Sequence, residues 1–232
     1  MAAPKVDGNC FICGKTLGKV AMKNHILKEH AANGDEQCVL LRIEGAYAKE
    51  YWLFVDVAKN KTLDSLDDFM RRIWLECCGH MSIFKVDKHD GHDDGSYFDD
   101  DYDEDDGKTY KLKEFSVGDK ITHEYDMGTT TKCLITLVGE TRRQKQKDAV
   151  RLLARNVPPV FTCASCGKSA GFICQECLNE CENPYYCSEC AEGHVHDPDD
   201  FDSLLPITNS PRNGACGYEG ECDIFAYDPD KL

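Results

Sequence analysis

Long apolar runs are missing from this chain. No stretch among its 232 residues approaches the roughly 18 uninterrupted apolar side chains that a membrane span needs, and the opening MAAPKVDGNC has no apolar leader-like run. The expectation is a cytoplasmic protein without membrane contact. Basic side chains are in the minority, 27 Lys and Arg against 42 Asp and Glu, for a formal net charge of −15. With 41% hydrophobic residues the chain is acidic yet apolar enough to fold, which excludes a wholly disordered protein, and its length excludes a small disulfide-held peptide. What it has in plenty is cysteine: 15 residues, several in C-x2-C pairs. Disulfides are rare in a reducing compartment, so these thiols point to metal ligation.

The acidity is local. Residues 89–107 carry ten acidic and no basic side chains, and residues 161–232 carry 14 acidic and 3 basic. The run containing Asp99, Asp100, Asp101, Asp103, Glu104, Asp105 and Asp106 repels itself and is expected as a solvated loop. Asp90, His92, Asp94 and Asp101 echo a calcium loop, but imidazole is a poor calcium donor. Pro158-Pro159 would stop a helix arriving over 149–155. Three segments follow: a zinc finger over 1–35, an α+β domain over 36–157 with the acidic loop 89–107, and a cysteine-rich two-zinc module with its tail over 158–232.

Cys10-x2-Cys13 followed by His25-x4-His30 offers two thiolates and two imidazoles in the order of a small zinc finger. Leu17, Met22, Ile26 and Leu27 supply few apolar side chains, so zinc is expected to be part of the fold. Lys19, Lys23 and Lys28 form only a modest basic face, so a lone finger would hold DNA weakly, and protein contact or structural capping is as much to be expected.

In the middle segment, 39–43 and 51–57 are rich in β-branched and aromatic residues and read as paired strands. A helix follows, capped by Thr62, with Leu63, Leu66, Phe69, Met70, Ile73, Trp74 and Cys77 along one stripe and Gly79 at its end. After the acidic loop, 120–125 and 132–138 form a hairpin about Asp126-Met127-Gly128, giving a sheet-plus-helix α+β layer. YWLFVDVA, TLDSLDDFMRRIWLECCGH with MSIF, and GDKITHEYDMG leading into KCLITLVGE together resemble the plasmid pRiA4b ORF-3-like family over roughly residues 38–140. That resemblance implies a compact α+β domain of plasmids and mobile elements, without an established catalytic activity. His80 beside Cys77 and Cys78, His123 with Glu124, and Cys133 have no companions at a spacing that fixes a base or an oxyanion site, and are read as core.

The tail carries the strongest pattern. Cys163, Cys166, Cys174, Cys177, Cys187, Cys190, His194 and His196 make four ligand pairs, enough for two closed tetrahedral sites. Spacing leaves open whether consecutive or alternate pairs share an ion. The order resembles the B-box and related cross-brace modules, which implies Cys163, Cys166, Cys187 and Cys190 on one zinc and Cys174, Cys177, His194 and His196 on the other. Cys181, Cys216 and Cys222 stay unassigned.

The reading is thus of a non-enzymatic zinc protein holding three ions, flanked modules on a central sheet, acting as an interaction or adaptor protein with a protein partner. The alternative is a nucleic-acid-binding accessory factor that uses the finger helix and the basic stretch from Arg142 and Arg143 through Lys145 and Lys147 to Arg151 and Arg155.

Overall fold

The computed structural model describes residues 6–86, 106–194, 196, 203–220 and 225–228; most of the acidic loop, including its calcium-like residues, and Cys222 lie outside these. In chain order the elements are β1 (Asp7–Cys10), β2 (Thr16–Gly18), α1 (Lys19–His25) continued by a π-helical turn (Ile26–His30), β3 (Ala32–Asn33), β4 (Glu36–Gly45), β5 (Trp52–Ala58), α2 (Leu63–Met70) continued by a second π-helical turn (Arg71–Leu75), β6 (Ser82–Val86), β7 (Lys120–Tyr125), β8 (Thr131–Arg143) and β9 (Val150–Asn156). The tail adds β10 (Phe172–Cys174), α3 (Gln175–Glu180), β11 (Tyr185–Tyr186), α4 (Ser188–Ala191) and β12 (Leu204–Pro206). Among the described residues no helix is long and apolar enough to cross a membrane.

The chain is an α+β protein built on one nine-stranded sheet. Its strands run in the order β2-β1-β9-β5-β4-β8-β7-β6, antiparallel throughout, with β3 added parallel to β8. β4 and β5 lie at its centre and are buried on both faces. Val39, Leu41, Ile43, Leu53, Val55 and Val57 join Leu63, Leu66, Phe69, Met70, Ile73 and Trp74 of the second helix in the larger core. Their neighbours Leu40, Trp52 and Phe54 face the other way, onto Met22 and Ile26 of α1. The continuous burial of β5 thus reflects a strand covered on both sides, in period-two alternation between two cores, with Asp56 its one charged residue.

The amino-terminal segment belongs to this sheet. β1 pairs with β9 through Gly8–Asn156 and Cys10–Ala154. A side chain at Gly8 would strike the Arg155 carbonyl and the Trp52 ring, so glycine is what lets this strand approach. The boundary expected at residue 35 therefore falls inside one continuous sheet.

Three local expectations are corrected. Residues 150–156 form a strand, because β9 fills the gap between β1 and β5 and buries Leu153 and Ala154 there; sheet pairing overrides the helical reading of the run. Thr62 makes no side-chain cap; the first amides of α2 donate instead to the carbonyls of Tyr110 and Lys108. The helix also ends before Cys77. Its last turn widens over Arg71–Leu75 and the backbone turns extended at Glu76, so Cys77 and Cys78 sit in the following loop and not on the apolar stripe.

Candidate metal centres

The amino-terminal group is assembled at one edge of the sheet. Cys10 ends β1, and the chain folds back at once: the Gly14 amide donates to the Cys10 carbonyl and the Cys10 amide to Lys15. His25 and His30 are five residues apart, which in a regular α-helix would place them about 140° around the axis from each other. The π-helical turn over Ile26–His30 removes most of that offset. Their Nε2 atoms lie 3.1 Å apart, and Cys13 Sγ lies 3.2 Å from His25 Nε2. Cys10, Cys13, His25 and His30 form a group whose ligand atoms all lie within 4.8 Å of one another. Burial lowers the pKa of both imidazoles, favouring the neutral form that a metal takes. The finger helix is docked: Met22 and Ile26 are fully buried, and Lys19 pairs with Glu44 at 2.9 Å.

In the tail the structure brings alternate pairs together. Cys163, Cys166, Cys187 and Cys190 form one group, and Cys174, Cys177, His194 and His196 the other. Of the two pairings open to the spacing, this is the crossed one. The first turn repeats the form seen at Cys10, with the Gly167 amide donating to the Cys163 carbonyl and the Cys163 amide to Lys168. Amides of Cys187, Cys166 and Ser165 directed at the Cys163 sulfur outweigh burial and lower its thiol, while the neighbouring sulfurs of the group push Cys190 up, as expected of four crowded thiols. Cys166 and Cys187 sulfurs are 3.6 Å apart. Zn–S bonds of roughly 2.3 Å place tetrahedral sulfurs about 3.7 Å apart, whereas a disulfide closes to about 2.05 Å. In the second group Cys177 Sγ lies 3.3 Å from His194 Nε2 and 3.2 Å from His196 Nε2. His196 Nδ1 faces Glu176 at 3.3 Å and His194 stacks on Tyr186 at 3.9 Å, so both rings are held with Nε2 inward. Cys181 is exposed and lies outside every such group.

A fourth group was not expected. Cys77, Cys78, His80 and Cys216 also converge within 4.8 Å, joining the loop after α2 to the tail across 136 residues of sequence from His80. The signal present was a C-C-x-H run with a left-over cysteine downstream, too sparse to pair without the fold. Among the described residues four Cys/His groups could therefore hold metal ions, where the sequence pattern marks three. The donor sets, four soft or borderline ligands each, fit a zinc-type ion.

The other chemistry-bearing residues have structural surroundings. Cys133 is fully buried, and burial pushes its thiol up to about 12. His123 is fully buried too, with Nε2 donating to Asp67 Oδ1 at 2.7 Å and Nδ1 without a partner. A proton on Nδ1 would be buried facing no acceptor, and burial accordingly lowers the His123 pKa despite the carboxylate. Asp67 is raised by burial, but hydrogen bonds from His123, Arg71 and Ser82 outweigh this and hold it well below the usual carboxylate range.

The signs follow from linkage. His123 stays neutral in the fold while the unfolded chain takes up a proton, so its contribution is complete above about pH 6.5 and is lost as pH falls below that. The Asp67 contribution is present above the ordinary carboxylate range and disappears only in stronger acid. Between about pH 7.5 and about pH 5.5 the wild type should lose roughly 1 kcal/mol that His123→Gln keeps. Urea titrations at both pH values, in matched zinc, measure the difference; equal losses would show that His123 titrates normally.

The basic stretch is largely consumed inside the fold. Arg143 is 1% exposed and reaches Asp56 Oδ1 and Glu36 Oε2, each at 2.8 Å; Arg151 closes on the other Asp56 oxygen. Buried Arg155 donates to the Asn209 and Phe225 carbonyls. Arg142, Lys145 and Lys147 remain exposed.

No family model matches the chain, and no curated protein does. Among solved structures it is similar to the crystal structure of a protein of unknown function, MM3350 from Methanosarcina mazei Go1, with 16% identity over 51% of this chain and 68% of that one and a TM-score of 0.39. That likeness is too slight to bear on fold or role.

Proposed function

We propose that the chain is a non-enzymatic, cytoplasmic zinc protein that acts as an interaction or adaptor protein, with residues 163–196 holding two zinc ions and residues 10–30 a third. The reading is supported above all by the crossed pairing in the tail, where each group presents four protein donors to a single point. An ion held by four protein ligands has no position left for a reacting water, which is the arrangement of structural zinc. Two such sites fix a small rigid surface on the acidic segment 161–232, which carries 14 acidic and 3 basic side chains. Such a surface disfavours phosphate and suits a basic or polar protein partner. The kinship of residues 38–140 with the ORF-3-like family, and the link to mobile elements, belong to this proposal and rest on the quoted motifs alone.

The nucleic-acid reading is weakened by the cost of freeing its cations, since Arg143, Arg151 and Arg155 already hold internal partners. Crosslinked capture from cells should recover a protein partner that survives nuclease and moderate salt and is lost when Cys163→Ser removes the crossed site. If instead nucleic acid co-purifies, leaves in salt, and is lost on charge reversal at Arg142, Lys145 and Lys147, the adaptor reading is wrong.

A further inference from the structure

We propose that Cys77, Cys78, His80 and Cys216 form a fourth metal site, for a zinc-type ion, which clasps the tail onto the sheet domain.

Distances come first. Cys78 Sγ lies 3.6 Å from Cys77 Sγ, 3.9 Å from Cys216 Sγ and 2.8 Å from His80 Nε2, and His80 Nε2 lies 3.2 Å from Cys216 Sγ. These are four of the six separations among the ligand atoms, all of which lie within 4.8 Å of one another. The sulfur separations bracket the roughly 3.7 Å expected around zinc and are far from the roughly 2.05 Å of a disulfide. His80 Nε2 is also 3.5 Å from Asp126 Oδ2, so the imidazole is turned to the sulfurs in preference to the carboxylate.

The chain is bent to bring these atoms together. After the widened turn at Arg71–Leu75 the backbone leaves the helix, and Gly79, at φ 77°, reverses it between Cys78 and His80. On the tail side Cys216 itself has φ 48°, between Gly214 at 76° and Gly217 at 64°. A side chain other than glycine in that region is strained, and persists where its surroundings hold it. The side chain of exposed Cys216 meets Cys78 and His80 there.

The groups around the cluster fit a charged thiolate set. Arg212, fully buried, donates from Nη2 to Cys77 Sγ at 3.4 Å and to Asp126 Oδ2 at 2.8 Å, and its guanidinium lies 4.7 Å from the Tyr125 ring centre. Three thiolates and a divalent cation carry one net negative charge, and the guanidinium beside it, shared with the Asp126 carboxylate, supplies a donor to the Cys77 sulfur. The tail is seated just upstream, where Ser210 Oγ donates to the Trp74 carbonyl and Asn213 to the Tyr51 hydroxyl, so the ion closes a segment already in place. Cys78 and Cys216 are exposed and Cys77 and His80 half-buried, which makes this the most open of the four groups.

Timed alkylation of the zinc-loaded, full-length wild type, read residue by residue by mass spectrometry, tests the site without any substitution. Exposed Cys181, outside every group, is the internal reference. Cys78 and Cys216 should react at least an order of magnitude more slowly than Cys181 and accelerate together once a chelator is added. Peptide maps made without reduction should show no disulfide at either residue. Zinc per chain should fall by one in both Cys216→Ser and Cys78→Ser, whatever the wild-type total. Reaction of Cys78 and Cys216 at the rate of Cys181, a disulfide joining Cys78 to Cys77 or Cys216, or unchanged zinc content in both variants would overturn the proposal. Protection of Cys78 and Cys216 while Cys163 and Cys174 react freely would instead leave this site standing and remove those of the tail.

Discussion

Stripping metal from the folded protein with a strong chelator should unfold the tail module, over roughly residues 163–196, while the nine-stranded sheet stays folded. The reason lies in what the two parts bury. The core of the tail consists of Cys163, Cys174, Cys177, Cys187 and Tyr186, with Cys190, Ala191 and Leu204 packed against them. Its buried side chains are mostly the ligands themselves. Its helices span six and four residues, too short to persist without tertiary support. Structural zinc in small domains supplies about 10–16 kcal/mol of apparent binding free energy at neutral pH, which is folding free energy where little else holds the chain. The sheet's core on the second-helix side owes nothing to that term, since Trp74, Leu41, Val55, Ile135 and their neighbours close a continuous apolar cluster there. Hydrogen exchange before and after chelation reads the outcome: amides such as those of Cys163, Ala170 and Cys174 should lose protection, and those of β4, β5 and β8 keep it. Retained protection across the tail in demonstrably metal-free protein would sink the idea.

The amino-terminal group should respond differently. Taken alone, residues 10–30 are too few to fold by burial, but in the structure Cys10, Met22 and Ile26 share a core with Leu40, Trp52, Phe54 and Leu153. Helix α1 is therefore expected to outlast its metal.

Replacing Asp56 by alanine should cost about 3–5 kcal/mol of stability, the usual price of removing one member of a buried charge pair. Asp56 is fully buried on β5 and faces two arginines, Arg143 from β8 and Arg151 from β9, so it ties together strands that do not pair with each other. Without it the Arg143 guanidinium, 1% exposed, keeps the Glu36 carboxylate as its one charged partner, with the backbone carbonyls of residue 56, Asp148 and Ala149. Water cannot replace the lost carboxylate at that depth. Urea titration with zinc present throughout measures the loss, and Asp64→Ala, at an exposed position on α2, serves as the comparison with an expected change within about 0.5 kcal/mol. A change of under about 1 kcal/mol for Asp56→Ala would mean that the two arginines find other partners.

Where sequence and structure agree, the signal was local. The alternation and β-branching of 39–43 and 51–57 are properties of single strands, and β4 and β5 stand there. The two-residue gaps of Cys10-x2-Cys13 and Cys163-x2-Cys166 are short enough for one turn of chain to set both sulfurs. The five-residue step from His25 to His30 suited one helical side only because the helix widens, a detail the spacing hinted at without stating. Where they part, distant partners decided. Residues 150–156 carry charged and helix-favouring side chains, yet become a strand because a sheet position between β1 and β5 was open to them. Arg143, Arg151 and Arg155 read as a wet basic surface until Asp56, nearly a hundred residues earlier, is placed beneath the first two.

The amino-acid sequence alone settled which atoms are available as ligands and marked β4, β5 and the start of the second helix, because adjacent residues are joined by covalent geometry and short-range periodicity. Only the tertiary structure decided which ligand pairs face one another, that the amino-terminal segment adds strands to the central sheet, and that Cys216 meets Cys77, Cys78 and His80. Those meetings depend on closing loops of up to 139 residues, and what brings the ends of such loops together is the burial of two cores and a few charged side chains, not any pattern written near the cysteines themselves.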